Sequence, residues 1–240
     1  VSRSINLINM IRICAMSDLH GYLPPVEPCD LVLICGDIIP LRIQGRTKDS
    51  YRWFSTEFKE WAMDLPCDKV IFIAGNHELT FPNHYNDYRQ LFYNDSKVTY
   101  LCHEGYIYKG PDGKEYSIFG TPYCKEFGNW AFMLPEGELS RMYLDIPSGL
   151  DILITHDQPY FYGDILLQED CPLATGEHIG NSALAMAIIN EAPRYQFNGH
   201  LHSCDHNEII INEKTVHYNV SLRDESYQPV YEPLYLEIDK

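Results

Sequence analysis

Residues 11–20 read Ile11-Arg12-Ile13-Cys14-Ala15-Met16-Ser17-Asp18-Leu19-His20. A short, largely apolar run stops at once against a carboxylate and an imidazole, as a buried strand does when it delivers polar groups to a sheet edge. The same ending recurs down the chain. Residues 31–35 lead into Gly36-Asp37, residues 70–74 into Gly75-Asn76-His77-Glu78, residues 152–155 into His156-Asp157, and residues 195–199 into His200-Leu201-His202. Between the second and third runs, residues 50–65 set Trp53, Phe54, Phe58, Trp61, Ala62 and Leu65 at helical spacing. Strand, helix, strand is the grammar of an α/β fold with parallel strands and crossover helices.

Residues 97–100, 105–109 and 115–120 read as short strands, with Pro111-Asp112-Gly113 as a hairpin turn. Residues 120–129 read as a loop. Residues 181–190 form an expected helix, capped by Asn181 or Ser182 and ended before Pro193. A hairpin around Asn212-Glu213 joins residues 208–211 to 215–219, and residues 235–238 are expected to close a sheet edge. No repeat, low-complexity tract or linker interrupts the pattern, so a single domain over residues 1–240 is expected.

The 240 residues are 45% hydrophobic, with a formal net charge of −16. Such a composition excludes the disordered profile and argues against an extended nucleic-acid grip through a broad basic surface. A nucleotide substrate stays compatible, because bound cations would reverse the field locally. The cysteines at positions 14, 29, 35, 67, 102, 124, 171 and 204 include no Cys-x-x-Cys pair. They fit neither a zinc ribbon nor a disulfide framework. Cys14 and Cys35 read as small buried hydrophobes, and reduced thiols point to a cytoplasmic setting. Asn6, Asn9 and Arg12 interrupt the first hydrophobic residues, so no signal segment and no membrane span is expected there.

Carboxyl ends of parallel strands line a common crevice, so Asp18, His20, Asp37, Asn76, His156, His200 and His202 are expected to converge. Carboxylates, imidazoles and one amide oxygen form a mixed donor set suited to Mn, Fe, Zn or Ni. Seven donors exceed the needs of one tetrahedral zinc. They suit two divalent ions about 3.5–4 Å apart, the arrangement of hydrolytic phosphoryl chemistry, with Asp37 as the natural bridge. Taken singly, each motif has an ordinary use: Gly36-Asp37 could cap a helix, Asp18-x-His20 could be a turn, and His77 a loop histidine. The five endings together carry the reading. His84, His103, His178, His206 and His217 are assigned structural roles. Glu78, Asp157 and Asp164 are read as groups that orient ligands, and residues 176–180 are read as not contacting substrate.

The blocks Asp18-x-His20, Gly36-Asp37, Gly75-Asn76-His77-Glu78, His156 and Gly199-His200-x-His202 resemble, in order, the motifs of the calcineurin-like metallophosphoesterase superfamily. The resemblance implies the metallo-dependent phosphatase fold, a four-layer αββα sandwich of two mixed β-sheets. It assigns one metal to Asp18, His20, Asp37 and His202, and the other to Asp37, Asn76, His156 and His200. It further implies attack on phosphorus by a metal-activated water, with His77 protonating the leaving group.

Within the superfamily, Gly36-Asp37-Ile38-Ile39-Pro40 lacks the second Asp and the Arg of the phosphoprotein phosphatase run. The chain is more similar to the small metallophosphoesterase-domain-containing class, whose members act as phosphodiesterases on small diesters, including cyclic nucleotides. Tyr123, Trp130, Tyr160, Phe161 and Tyr162 are the aromatic candidates for stacking on a base. Two other functions fit the residues less well. A non-catalytic metal-binding scaffold is disfavoured because none of the seven ligand positions is degraded. A nuclease is disfavoured by the chain's acidity.

Overall fold

Successive residues of the first strand face opposite ways, and both sides are buried. Ile11, Ile13 and Ala15 enter one apolar cluster, while Cys14 and Met16 enter another. A strand covered on both faces needs a layer above and a layer below it. The computed structural model describes residues 10–93, 95–167 and 175–240. In chain order its elements are β1 (Ile11–Met16), β2 (Leu31–Cys35), α1 (Thr47–Trp53), a π-helical turn over Phe54–Phe58, α2 (Lys59–Asp64), β3 (Lys69–Ile73), α3 (Tyr85–Phe92), β4 (Val98–Leu101), β5 (Glu104–Lys109) and β6 (Glu115–Thr121). Next come β7 (Cys124–Lys125), β8 (Met133–Leu134), α4 (Glu136–Met142), β9 (Ile152–Thr155), α5 (Ser182–Glu191), β10 (Tyr195–Asn198), β11 (Ile209–Ile211), β12 (Thr215–Asn219) and β13 (Leu234–Ile238).

Two mixed sheets result. One runs β13-β1-β2-β3-β4, parallel except for its β13 edge; the other runs β11-β12-β10-β9-β6-β5, antiparallel only at its two edges. Ile13, Leu33 and Ile71 of the first sheet meet Ile118, Ile154 and Phe197 of the second. On the far face of the first sheet, Met16, Ile34 and Phe72 pack on Phe54 and Phe58 of the π-helical turn and on Tyr88 of α3. On the far face of the second, Phe119 and Leu153 pack on Leu139, Leu184 and Ile188 of α4 and α5. Helix, sheet, sheet, helix is the αββα sandwich.

Several expectations shift in detail. The strands bearing the candidate ligands divide between the two sheets instead of sharing one. Residues 120–129, read as a loop, contain β7, which pairs in parallel with β8. Asn181 caps α5, its side-chain oxygen accepting the Leu184 N–H at 3.1 Å. Asn212 and Glu213 both adopt left-handed φ, of 49° and 60°, as a tight hairpin turn requires. Cys171, Asn6 and Asn9 lie outside the described residues. Among the described residues no helix is long and apolar enough to cross a membrane.

A polar network crosses the second sheet. His217 Nδ1 pairs with the Gln196 side-chain oxygen, Gln196 donates to Thr155 Oγ1 at 2.8 Å, and His217 Nε2 lies 3.3 Å from Gln158 Nε2. Burial holds the His217 imidazole down to about 3. A histidine depressed in the folded state favours folding above its unfolded value of about 6.5, and that contribution is lost as pH falls from there toward 3. Metal-free protein is therefore expected to lose about 2 kcal/mol from this group between pH 7 and pH 5. Urea unfolding at the two pH values should show a smaller loss in His217→Gln than in the parent chain. Equal losses would mean that His217 takes up a proton without unfolding.

Candidate metal centre

The chain turns sharply where the strands end. Asp18, His20, Asp37 and His200 take left-handed φ angles of 56°, 43°, 52° and 72°, a conformation costing each residue about 1–2 kcal/mol. Hydrogen bonds hold them there. Asp18 and His20 donate their N–H groups to the carbonyls of Gly36 and Asp37 at 3.0 and 2.9 Å. The Asp18 carboxylate accepts the His200 N–H at 3.1 Å, and Asp37 Oδ1 accepts the His77 N–H at 2.8 Å. Gly75 and Gly199 pass so close to the Asp37 and Asp18 carboxylates that a Cβ at either would overlap them.

Glu78 locks two of these turns together. Fully buried, it accepts the N–H groups of Asp37, Ile38 and Ile39 at 3.1, 2.9 and 2.9 Å, and that of Gly75 at 2.5 Å. Its place as an orienting group agrees with the expectation from sequence. Glu78→Ala would strand four buried donors, so its stability in urea should fall by at least about 3 kcal/mol. A fall below about 1 kcal/mol would mean that the donors find water and that the clamp is dispensable.

All seven expected ligands come together around Asp37. His156 Nε2 lies 3.4 Å from Asp37 Oδ1 and 2.8 Å from Asn76 Oδ1. His20 Nε2 and His77 Nε2 each lie 3.8 Å from Asp37 Oδ2, and His202 Nε2 is 3.3 Å from Asp18 Oδ1. The His200 ring packs 4.9 Å from that of His156. Three overlapping groups bring their donor atoms within 4.8 Å of one another: Asp18, His20 and His202; His20, Asp37 and His77; Asp18, Asp37 and His156.

This donor set fits divalent cations. Both ring nitrogens of His20 are buried without a hydrogen-bond partner, an uncommon state that a bound ion would account for. His156 and His202 each present Nδ1 to a backbone carbonyl, Cys35 and Asp224 respectively, both at 2.9 Å. A metal-binding histidine is aimed in this way, with Nε2 turned toward the ion. Burial alone would raise the Asp18 and Asp37 carboxyls, but the facing imidazoles outweigh it and hold both well below the usual range. Conversely, burial lowers His156 and His202, and the carboxylates overcome it, lifting them to about 10 and about 9. Two buried carboxylates thus demand positive charge, and protons on these imidazoles sit where cations would satisfy it more fully.

A cleft of about 460 Å³ opens over the centre, lined by Asp37, Asn76, His77, His200 and His202 together with Phe127, Trp130, Tyr227 and Lys125. Of the aromatic candidates, Trp130 lines it, its ring 4.5 Å from that of His77. Tyr160 and Phe161 instead pack on His178, which pairs with Asp164 at 2.6 Å. Glu177 and Ile179 also line the cleft. Sequence reasoning missed Tyr227, whose ring lies 4.9 Å from His20, and Gln44, whose Oε1 accepts from His77 Nδ1 at 2.5 Å. Both sit in irregular segments whose spacing carries no periodic signal.

The family model described as calcineurin-like phosphoesterase matches residues 11–204. The chain is 28% identical over 246 residues to metallophosphoesterase domain-containing protein 1 of Homo sapiens, spanning 95% of this chain and 71% of that protein. A UPF0046 protein of Caenorhabditis elegans is 26% identical, spanning 96% of this chain and 82% of that one. Among solved structures, TT1561 of Thermus thermophilus is similar with a TM-score of 0.55 at 12% identity, over 96% of this chain and 99% of that one. That last likeness is one of fold.

Proposed function

The chain belongs to the calcineurin-like phosphoesterase family, and from that premise we propose that it is a dinuclear metal-dependent phosphoesterase acting on small phosphodiesters or phosphomonoesters. Asp18, His20, Asp37 and His202 would hold one ion; Asp37, Asn76, His156 and His200 would hold the other. The observation that carries this reading is the convergence of Asp18, His20, Asp37, His156 and His202, with both nitrogens of His20 buried and unpartnered. Two divalent cations would supply Lewis-acid activation of water and of phosphoryl oxygens.

The remaining work falls to the chain's own groups. Gln44 accepts the Nδ1–H of His77, which leaves Nε2 free at the cleft to protonate a leaving oxygen. Burial lowers the His77 imidazole; an anionic phosphoester beside it would draw it back up and favour the protonated acid. Trp130, Phe127 and Tyr227 offer ring faces and edges beside the centre, which supports a leaving group carrying an aromatic ring, a nucleoside included. Glu177 and Glu225 at the same cleft disfavour an extended nucleic acid. We take residues 1–240 as a single domain, since β13 near one end pairs with β1 near the other.

Reconstitution with Mn, Ni, Zn, Fe or Mg, followed by a panel of mono- and diesters, tests the reading. Hydrolysis of bis(p-nitrophenyl) phosphate that depends on added metal is expected. No hydrolysis of any ester by protein shown to hold two ions would leave a metal-binding scaffold as the better reading.

A further inference from the structure

At the end of the first sheet away from the cleft, two cysteines stand side by side. β2 and β3 pair in parallel with Leu31 opposite Lys69, and the pairing continues backward along the chain. The Asp68 and Lys69 N–H groups donate to the Asp30 carbonyl at 3.1 and 3.2 Å, and the Cys29 N–H donates to the Pro66 carbonyl at 3.1 Å. Two residues back from the Leu31–Lys69 pair, this register sets Cys29 against Cys67. Neighbouring strands run about 4.8 Å apart, within the roughly 4.4–6.8 Å that separates disulfide-linked Cα atoms. Each thiol is the first influence on the acidity of the other. Both residues are half-buried, whereas Cys14, Cys35 and Cys124 are sealed in the core.

The sulfurs are also unequal. The neighbouring Cys29 thiol, aided by the Lys97 charge against burial, holds the Cys67 thiol below its usual value; the Cys29 thiol is pushed up. An attacking thiol with thiolate character beside a second thiol able to resolve the adduct is the make-up of a redox pair. A metal role is not indicated, because no cysteine enters any possible metal-holding group among the described residues.

We propose that Cys29 and Cys67 form a reversible redox pair, which closes to a disulfide on reaction with a low-molecular-weight disulfide and staples the entries of β2 and β3. The Cys67 thiolate attacks one sulfur of the small disulfide, breaking its S–S bond and releasing one thiolate, which takes a proton from water. The Cys29 thiol then loses its proton and attacks the Cys67 sulfur, releasing the second small thiol. Two protein thiols are oxidised and one small disulfide is reduced to two thiols; excess thiol reverses the sequence. The staple closes the stretch of chain that carries Asp37 and shrinks the unfolded ensemble, so the folded state gains. It lies at the far end of the strands from the cleft, and its test does not depend on any hydrolytic activity.

Oxidised glutathione is the probe. Non-reducing peptide mapping of the treated full chain is expected to show a Cys29–Cys67 cross-link with loss of that pair of free thiols. Tm should rise by several degrees, and dithiothreitol should reverse both changes. Cys29→Ser should trap one glutathionyl group on Cys67, whereas Cys67→Ser should leave Cys29 largely unmodified. Separate glutathionyl adducts on both cysteines of the parent chain without a cross-link, or an unmodified Cys67 in Cys29→Ser, would overturn the proposal.

Discussion

Asp37→Ala is expected to cut metal-dependent phosphoester hydrolysis by at least about 1,000-fold, equivalent to losing about 4 kcal/mol of transition-state stabilisation at tenfold per 1.36 kcal/mol. The size follows from position. One oxygen of Asp37 faces His156 and the other faces His20 and His77, so its removal opens both halves of the centre at once. It also leaves His156, lifted chiefly by Asp37 against burial, without its counter-charge. Divalent cations that bind only the folded chain should raise its Tm, and that rise should vanish in Asp37→Ala. Asp37→Asn separates charge from shape, because its amide oxygen can still accept the His77 N–H. A variant that kept a tenth of the parent rate, or kept the cation-dependent rise in Tm, would exclude Asp37 as the shared ligand.

Much of this centre was legible in the sequence because strand endings are local signals. Each short apolar run announces where it stops, and the residues just past the stop must lie at a sheet edge. The pairing of runs into sheets is less local. Nothing in residues 152–155 says that they join β6 and β10 instead of β3, since continuous apolar runs look alike in either sheet. The family resemblance, not the spacing, supplied the second layer. α3 and α4 were missed because each spans about two turns with much of its surface polar. Tyr227 and Gln44 were missed for a different reason: their contact with the site depends on how irregular chain folds back, and no periodicity records that. Conversely, Tyr160 and Phe161 read as candidates for stacking on a base, yet they turn toward His178. Glu78 was legible because it closes the third block, yet the four donors it serves could be counted only once the turns around Asp37 and Gly75 were seen together.

His77→Gln should reveal its role through the leaving group. An acid that protonates a departing oxygen contributes about 100- to 10,000-fold where the departing group is a poor one, and far less where the group leaves readily as an anion. A nucleoside or alkyl ester is therefore expected to lose at least about 100-fold, exceeding the loss with bis(p-nitrophenyl) phosphate by about tenfold or more. Metal binding should persist, because the ligand set assigned to the two ions omits His77, and the cation-dependent rise in Tm serves as the control. Gln44→Leu should show the same selectivity in milder form. Without the amide oxygen that accepts from Nδ1, the ring loses its polar anchor and keeps only ring packing from Trp130, His20 and Tyr227 among its aromatic neighbours. Equal losses for good and poor leaving groups would point elsewhere: His77 would then act by keeping its neighbour Asn76 and the facing Asp37 in place, and the proton would have to come from another group at the cleft.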